Sequence, residues 1–199
     1  MNRVFDYNGS IVAPSNPVKK LKTVKKTVTI DSGDRDMTKY TRNGDFVIYL
    51  PRVYENVVSL RLAGAEFPIF STATYVPATT DSPLYFFIDI EGLNKADECS
   101  VGADRSGYPD GHFAKIPVSA DPTLPTLYND KCQPDNIARY SPAIGKLDRM
   151  HIRTRLHSQK ANGGYMYWDT EYSLTFEIEY LDNAFDEFST FESRLSERA

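Results

Sequence analysis

The chain has 199 residues and a formal net charge of -4, and these totals exclude several classes of protein. Hydrophobic residues make up 41% and charged residues 25%, which suits one packed domain and does not suit a disordered chain. The negative charge gives no general support to nucleic-acid binding. No apolar run approaches the roughly 18 residues of a membrane span, and the N-terminus lacks a signal-peptide core, so we expect cytosolic synthesis.

Residues 1–26 predict an extended basic arm. They are rich in lysine and proline and offer few side chains that a folded face could bury. The arm could contact nucleic acid or lipid headgroups, or it could dock on an acidic protein neighbour. Aromatic residues that would stack on bases are few, which favours protein docking. The lysines concerned are Lys19, Lys20, Lys22, Lys25 and Lys26.

From Thr27 onward the sequence alternates with period two, which is typical of strands with one buried face. Pro51 is expected to end the second strand because proline cannot donate to a ladder. The predicted strands are Thr27–Asp31, Asp45–Leu50, Val57–Ala63, Leu84–Glu91, His112–Ser119, Leu147–Leu156 and Tyr172–Tyr180, with an eighth near Ile137–Ile144.

Within these strands, one set of alternating apolar side chains is predicted to face the core. Its members are Val28, Ile30, Phe46, Ile48, Leu50, Val58, Leu60, Leu62, Leu84, Phe86, Ile88, Ile90, Met150, Ile152, Leu156, Tyr172, Leu174, Phe176, Ile178 and Tyr180. The strand number, together with long connections at 94–111 and 120–136, predicts an all-β fold. It would be a single jelly-roll β-sandwich of about eight antiparallel strands over residues 27–181. Residues 182–199 form a short acidic tail.

The sequence offers no pattern typical of an enzyme. His112, His151 and His157 do not have metal-ligand spacing, and residues 31–36 lack the spacing of a calcium loop, which favours a solvated turn. A nucleophile elbow and a glycine-rich phosphate loop are both missing. We therefore predict no catalytic residues, no metal, no cofactor and no small-molecule substrate. Cys99 and Cys132 are expected to be free thiols.

Basic side chains alternate along the solvent face of the strand Leu147–Leu156. This stripe could bind phosphate, sulfate or an acidic partner. It could instead pair with acids on neighbouring strands, which is the favoured interpretation. The stripe consists of Arg149, His151, Arg153 and Arg155, and its candidate partners are Asp89 and Glu91, or Glu177 and Glu179.

Three segments carry more apolar side chains than the core of one domain is expected to bury. Residues 67–80 carry no charge, the strand at 84–91 is apolar on both faces, and the tail places a phenylalanine every third residue. Soluble monomers rarely expose such surfaces, so another subunit is favoured over long loops as the cover. The candidate interface residues are Phe67, Phe70, Tyr75, Tyr85, Phe87, Phe185, Phe188 and Phe191.

Four segments resemble structural proteins of nucleocytoplasmic large DNA viruses, of a chlorovirus-like kind. The segments are Thr27–Asp36, Asp45–Pro51, Tyr54–Pro68 and Lys146–Arg153. They are similar to the jelly-roll capsid components of that group, above all the vertex (penton) and minor capsid proteins. The resemblance covers roughly residues 27–182, and no catalytic residue carries over with it.

The resemblance implies a capsid protein. Major capsid proteins of that group hold two jelly rolls, whereas this chain has room for one, which is typical of the pentamer at the fivefold vertex. Implied partners are further copies of the chain and the major and minor capsid proteins. The implied location is the virion, assembled in the host cytoplasm.

Two alternatives to the penton remain open. One is a minor capsid protein beneath the shell, since some of those are also single rolls. The other is a carbohydrate- or receptor-binding jelly roll, in which Tyr165, Tyr167 and Trp168 would stack on a sugar.

Overall fold

The computed structural model describes residues 22–69, 71, 73–76, 84–95, 99–100, 110–118, 121, 123–129, 136–156 and 164–182. These residues are almost wholly β-structure, so the predicted all-β class is confirmed. The strands are β1 (Lys22–Asp31), β2 (Asp45–Ile69), β3 (Ala73–Val76), β4 (Tyr85–Ile90), β5 (Cys99–Ser100), β6 (Asp110–Gly111), β7 (Ala114–Pro117), β8 (Pro125–Asn129), β9 (Ile137–Arg155), β10 (Tyr165–Trp168) and β11 (Ser173–Asp182). A 3-10 turn spans Ser32–Asp34, and no helix within the described ranges is long and apolar enough to cross a membrane.

One curled antiparallel sheet contains most of the strands, in the order β1-β11-β2-β9-β4-β7, with β8 also paired to β2. The long strand β2 belongs to both halves of this sheet. Its first half pairs with β9, from Asp45 opposite Arg153 to Val57 opposite Ile144. Its second half pairs with β11 on one edge and β8 on the other. The sheet therefore divides into two four-stranded groups, β1-β11-β2-β8 and β2-β9-β4-β7. Two small antiparallel pairs, β3 with β10 and β5 with β6, lie outside it.

Aromatic rings join the two groups through the core. The ring of Phe67 lies 4.8 Å from that of Phe86, and Phe113 lies 5.9 Å from Phe176. Each pair links a strand or loop of one group to a strand of the other, as in a sandwich. Burial of each such side chain stabilises the fold by about 1.5–3 kcal/mol.

The predicted end of a strand at Pro51 is wrong. β2 continues through it because the proline lies in a pairing irregularity, where Tyr49 opposes Arg149 but the next paired residue, Tyr54, opposes Leu147. Four residues of β2 therefore face a single residue of β9. Within this bulge, Pro51 breaks no ladder hydrogen bond, and bulges are where sheets tolerate proline.

Further irregularities change which residues of β2 face inward. In the pairing with β11, Val58 and Ala63 have no partner residue. At each of these two positions, burial changes from odd-numbered to even-numbered residues of β2 or back again. Val57 is therefore buried and Val58 is only half-buried, opposite to the prediction. Asn56, just before the first skip, has a φ of 53°, a left-handed conformation that asparagine tolerates better than most residues.

Three other strand predictions need correction. β1 begins at Lys22, not Thr27. The prediction is wrong because a run of lysines is typical of a solvated arm, but lysines are also common on edge strands. The two strands predicted near 137–144 and 147–156 are one strand, β9. Leu84, predicted to face inward, precedes β4 and is 83% exposed.

The alternation predicted for the last strand is confirmed. Tyr172, Leu174, Phe176 and Ile178 are buried, and Tyr180 is half-buried and packs its ring 5.6 Å from that of Tyr54. The inward faces predicted for β1 and for the second half of β9 are also confirmed. The shorter strand β7 occupies the middle of the strand predicted at 112–119.

We predict that Gly44→Ala destabilises the protein by about 3 kcal/mol through overpacking. A Cβ at this position would lie 1.8 Å from the backbone oxygen of Met166, and the Gly44 carbonyl also accepts a hydrogen bond from the Thr154 N–H at 2.9 Å. Denaturant unfolding measures the change. Gly145→Ala is the matched control, because a Cβ there meets nothing within 4 Å, and we expect a change within about 0.5 kcal/mol. Equal stabilities for the two variants would contradict the prediction.

Candidate functional site

The structure places two of the predicted interface residues inside the protein. Phe67 and Phe87 are each 2% exposed, so neither side chain is available to a second molecule. Phe67 belongs to the core. Phe87, on the other face of β4, stacks on the ring of His112 at 4.2 Å and lies under the Arg155 guanidinium at 5.1 Å. At this position the chain itself provides the cover that was predicted to come from another subunit.

Of the other predicted interface residues, the structure describes the side chain of Tyr85 alone. Tyr85 is half-buried, and the Lys115 ammonium lies 4.3 Å from the centre of its ring. Tyr75 lies in β3, where its side chain is not described. Phe70, Phe185, Phe188 and Phe191 are outside the described residues.

The arm lysines also divide. Lys22, Lys25 and Lys26 belong to β1, whereas Lys19 and Lys20 lie outside the described residues. The ammonium of Lys25 lies 3.2 Å from the Glu177 carboxylate of β11. Part of the basic cluster therefore stands on the solvent face of an edge strand and pairs across it.

The proposed sugar-stacking platform is not present as predicted. Trp168 is 3% exposed, and its ring packs against Phe67 at 4.9 Å and Phe86 at 5.5 Å. Tyr165 and Tyr167 are half-buried on the other face of β10. The tryptophan is a core residue because successive residues of a strand point to opposite faces.

An exposed apolar patch, which the sequence did not indicate, lies at the start of β8 and consists of Leu124, just before the strand, with Pro125 and Leu127. Leu127 is 73% exposed, whereas its neighbours Thr126 and Tyr128 are buried. The sequence does not show which side chains of this segment face outward, because apolar residues stand at both odd and even positions. The region is also predicted to be a loop. This β8 patch is the kind of surface that another protein covers.

The turn at 31–36 was predicted to be solvated, but part of it is buried. Arg35 is enclosed: its guanidinium donates to the Ser32 carbonyl at 2.6 Å, to the Tyr40 carbonyl at 2.9 Å and to the Glu171 carboxylate at 2.6 Å. Asn43 continues the network by donating to the carbonyls of Trp168 and Thr170. We call this set the Arg35–Glu171 network. It fastens the loop after β1 to the turn before β11.

The charge of Glu171 is held by this network. Partial burial would raise the pKa of its carboxyl group, but hydrogen bonds from Arg35, Ser32 and Asn43 outweigh that cost, and the pKa lies below its ordinary value. A lowered folded-state pKa contributes stability above the unfolded-state pKa and loses it as the pH falls through the folded-state value. The network therefore weakens in acid.

The fastened loop forms one wall of a groove of about 530 Å³. The other walls are strand segments, Val28–Ile30 of β1 and Val47–Pro51 of β2. The loop contributes two acids, two bases and a tyrosine to the lining: Asp34, Arg35, Asp36, Lys39 and Tyr40. We call this space the β1–β2 groove.

Three of the four basic side chains of the β9 stripe pair with acids on or next to neighbouring strands, as favoured from the sequence. Arg155, predicted to lie on the solvent face, is buried. His151 lies 2.6 Å from Glu91, and Arg155 forms an ion pair with Asp89. The sequence did not indicate a third acid, Asp45 of β2, which lies 2.6 Å from His151 and 3.0 Å from Arg153. Its place opposite Arg153 depends on the β2–β9 register, which no local pattern gives.

His151 lies between two carboxylates. Partial burial disfavours its charged form, but hydrogen bonds to Glu91 and Asp45 outweigh burial and raise the pKa of His151 above 6.5. The same contact is the main cause of a lowered pKa for the exposed Glu91 carboxyl. Within the described ranges, no group of three or more His, Cys, Asp or Glu side chains is arranged to hold a metal ion.

The chain is similar to a known viral protein. It is 26% identical over 148 residues to the penton capsid protein P1 of Paramecium bursaria Chlorella virus 1, an alignment covering 73% of this chain and 76% of that protein. No protein-family model matches the chain. The similarity therefore covers almost three quarters of this chain and is not confined to one short motif.

We predict that His151 titrates above pH 6.5 and that Asp45→Asn lowers this value, because one of the two carboxylates that stabilise the imidazolium is removed. The raised pKa makes the contribution of His151 to stability complete below about pH 6.5 and lost as the pH rises through the folded-state pKa. An NMR titration of the imidazole measures both values. Glu177→Gln, which changes a carboxylate that pairs with Lys25, is the control and should leave the pKa of His151 unchanged. A value at or below 6.5 in the unmodified protein would refute the assignment.

Proposed function

We propose that this chain is a structural capsid protein of a large DNA virus and that it forms the pentamer at the fivefold vertices. The observation that carries the proposal is the similarity to a penton capsid protein over about three quarters of both chains. The coarser statement, a structural role in a viral capsid, has the direct support of that similarity. The vertex position is the finer part of the proposal.

The strand connections support a jelly roll as the form of the sandwich. Along the chain, β1 lies in the first group, the first half of β2 in the second and its second half in the first again. β4 and β7 then lie in the second group, β8 in the first, the second half of β9 in the second and β11 in the first. Repeated crossing between two four-stranded sheets is the pattern of a jelly roll.

Such a protein works by assembly and needs no reaction step. The proposed partners are further copies of this chain and the major and minor capsid proteins, in a virion assembled in the host cytoplasm. The β8 patch suits a contact between copies, because Leu124 and Leu127 are 52% and 73% exposed and lie close together in the chain. A stable contact buries about 1,600 Å² in total, so the patch would form only part of it.

We expect the purified full chain to form a ring of five copies, visible by imaging and by mass measurement in solution. Leu127→Lys should weaken the association by about tenfold or more, because the contact would have to desolvate a charge. The folded monomer should keep its stability within about 0.5 kcal/mol, since the side chain is on the surface.

Met37→Lys is the matched control, an apolar-to-lysine change at an exposed loop position outside the β8 patch. It should leave the ring intact. A chain that remains monomeric while it enters capsids at sites other than the vertices would show a minor capsid protein instead. Equal effects of the two variants would remove the β8 patch from the contact.

The N-terminal arm is proposed to tether the protein to neighbours, and its boundary can be placed more accurately. Because β1 begins at Lys22, a deletion through Lys26 would remove half of an edge strand. We predict that deletion of residues 1–21 leaves the domain folded and reduces assembly. Circular dichroism and thermal unfolding test the fold, and mass measurement tests assembly. Loss of cooperative unfolding would contradict a tethering role.

A further inference from the structure

The β1–β2 groove lies between two strand edges that no other described strand occupies. β1 is the last strand of its group and pairs with β11. The first half of β2 pairs with β9 along one edge, and in the described part of the chain no strand pairs with its other edge. Backbone N–H and C=O groups along such edges are available to bind an added strand.

The lining of the groove suits an extended peptide with apolar and basic side chains. Val28 and Leu50 are buried at its base, and Tyr49 on its rim is 72% exposed. The carboxylates of Asp34 and Asp36 stand on the loop wall and are exposed. The volume of about 530 Å³ is within the usual range of about 300–1,000 Å³ for protein ligand pockets.

The charge of the loop wall is not cancelled by Arg35. That guanidinium is used inside the protein, where it contacts Glu171 and where its side chain is only 5% exposed. Lys39 approaches Asp36 at 3.3 Å, but both side chains remain largely solvated, and such surface pairs are weak. A basic ligand therefore meets an acidic wall.

We propose that this groove binds the N-terminal segment of a second copy, residues 1–21, as an added β-strand. The inference rests on the proposed assembly role, which supplies the second copy. Basic residues Arg3, Lys19 and Lys20 outnumber the single acid Asp6 in this segment, so its charge complements the wall. A segment of 21 residues spans up to about 70 Å when extended, enough to cross to a neighbour.

The prolines of the segment limit where the added strand can form. Pro14 and Pro17 cannot donate to a ladder, which leaves residues 2–13 for pairing. β2 contributes five consecutive residues to the groove, so the added strand needs about five residues. Arg3–Tyr7 meets this need, because Phe5 and Tyr7 would lie on one face of a strand and could contact the apolar base. Arg3 and Asp6 cancel within this strand, so the net positive charge that favours the acidic wall comes from Lys19 and Lys20 in the rest of the segment.

Photo-crosslinking in mixed full-length chains tests the proposal. One population carries p-benzoylphenylalanine in place of Tyr49 at natural isotope abundance. The other is unmodified, labelled with ¹⁵N and present in about tenfold excess. After assembly and irradiation, we expect peptides that join position 49 to residues 1–21 of the ¹⁵N-labelled chain. The same crosslinker in place of Lys146, an exposed residue of β9 outside the groove, should not give these adducts.

A charge variant adds a second readout. Asp34→Asn with Asp36→Asn should lower the yield of the adduct at position 49 several-fold, whereas Glu177→Gln should not change it. Adducts confined to the arm of the same chain, or adducts to other regions, would overturn docking by a second copy. A fivefold ring without arm adducts would overturn the groove proposal and leave the proposed function in place. Arm adducts without any ring would support the groove and count against the vertex role.

Discussion

The fold depends on one constraint: the strand β2 has to keep its apolar side chains on a single interior while it passes from one sheet to the other. A strand of 25 residues with unbroken alternation would bury only one of its two halves correctly once it bends. The skips at Val58 and Ala63 each move burial from one alternating set of β2 residues to the other, whereas Leu50 and Tyr54, at the two ends of the 50–53 bulge, belong to the same buried set. Each bulge leaves ladder groups unpaired, and the burial of Val57, Leu60 and Phe67 offsets that loss.

Ion pairs and hydrogen bonds of charged side chains connect segments of this protein that are distant in sequence. The Arg35–Glu171 network joins a loop to a turn 136 residues away, and His151 joins β9 to β2 and to the turn after β4. The two have opposite responses to pH, since the network needs an ionised carboxylate and His151 needs a proton. Together they maintain contacts around the sandwich across the mildly acidic range.

The sequence allowed the class of fold and most inward faces to be predicted, because period-two alternation reports directly on one-sided burial. It failed where the alternation itself changes, at Val58, and where a proline lies inside a bulge. The candidate interface was harder still. The sequence does not distinguish a phenylalanine that is exposed for an interface from one that is buried, as Phe67 and Phe87 are. The burial of Phe87 depends on His112 and Arg155, which pack against its ring and are distant in sequence. To predict a long-range ion pair such as that of Asp45, one has to know the register between two strands, and no local sequence pattern gives that register.

Pro51 limits how the edge of β2 along the groove can pair with other strands. An open strand edge of full length would let identical chains add to one another without limit, which is the route to fibres and amyloid. Here the β2 edge that no described strand pairs with contains a proline and a bulge within its stretch along the groove, so it holds few consecutive donors. The edge can accept one short strand but makes a poor template for a continuous ladder, which favours soluble chains over runaway polymerisation during synthesis.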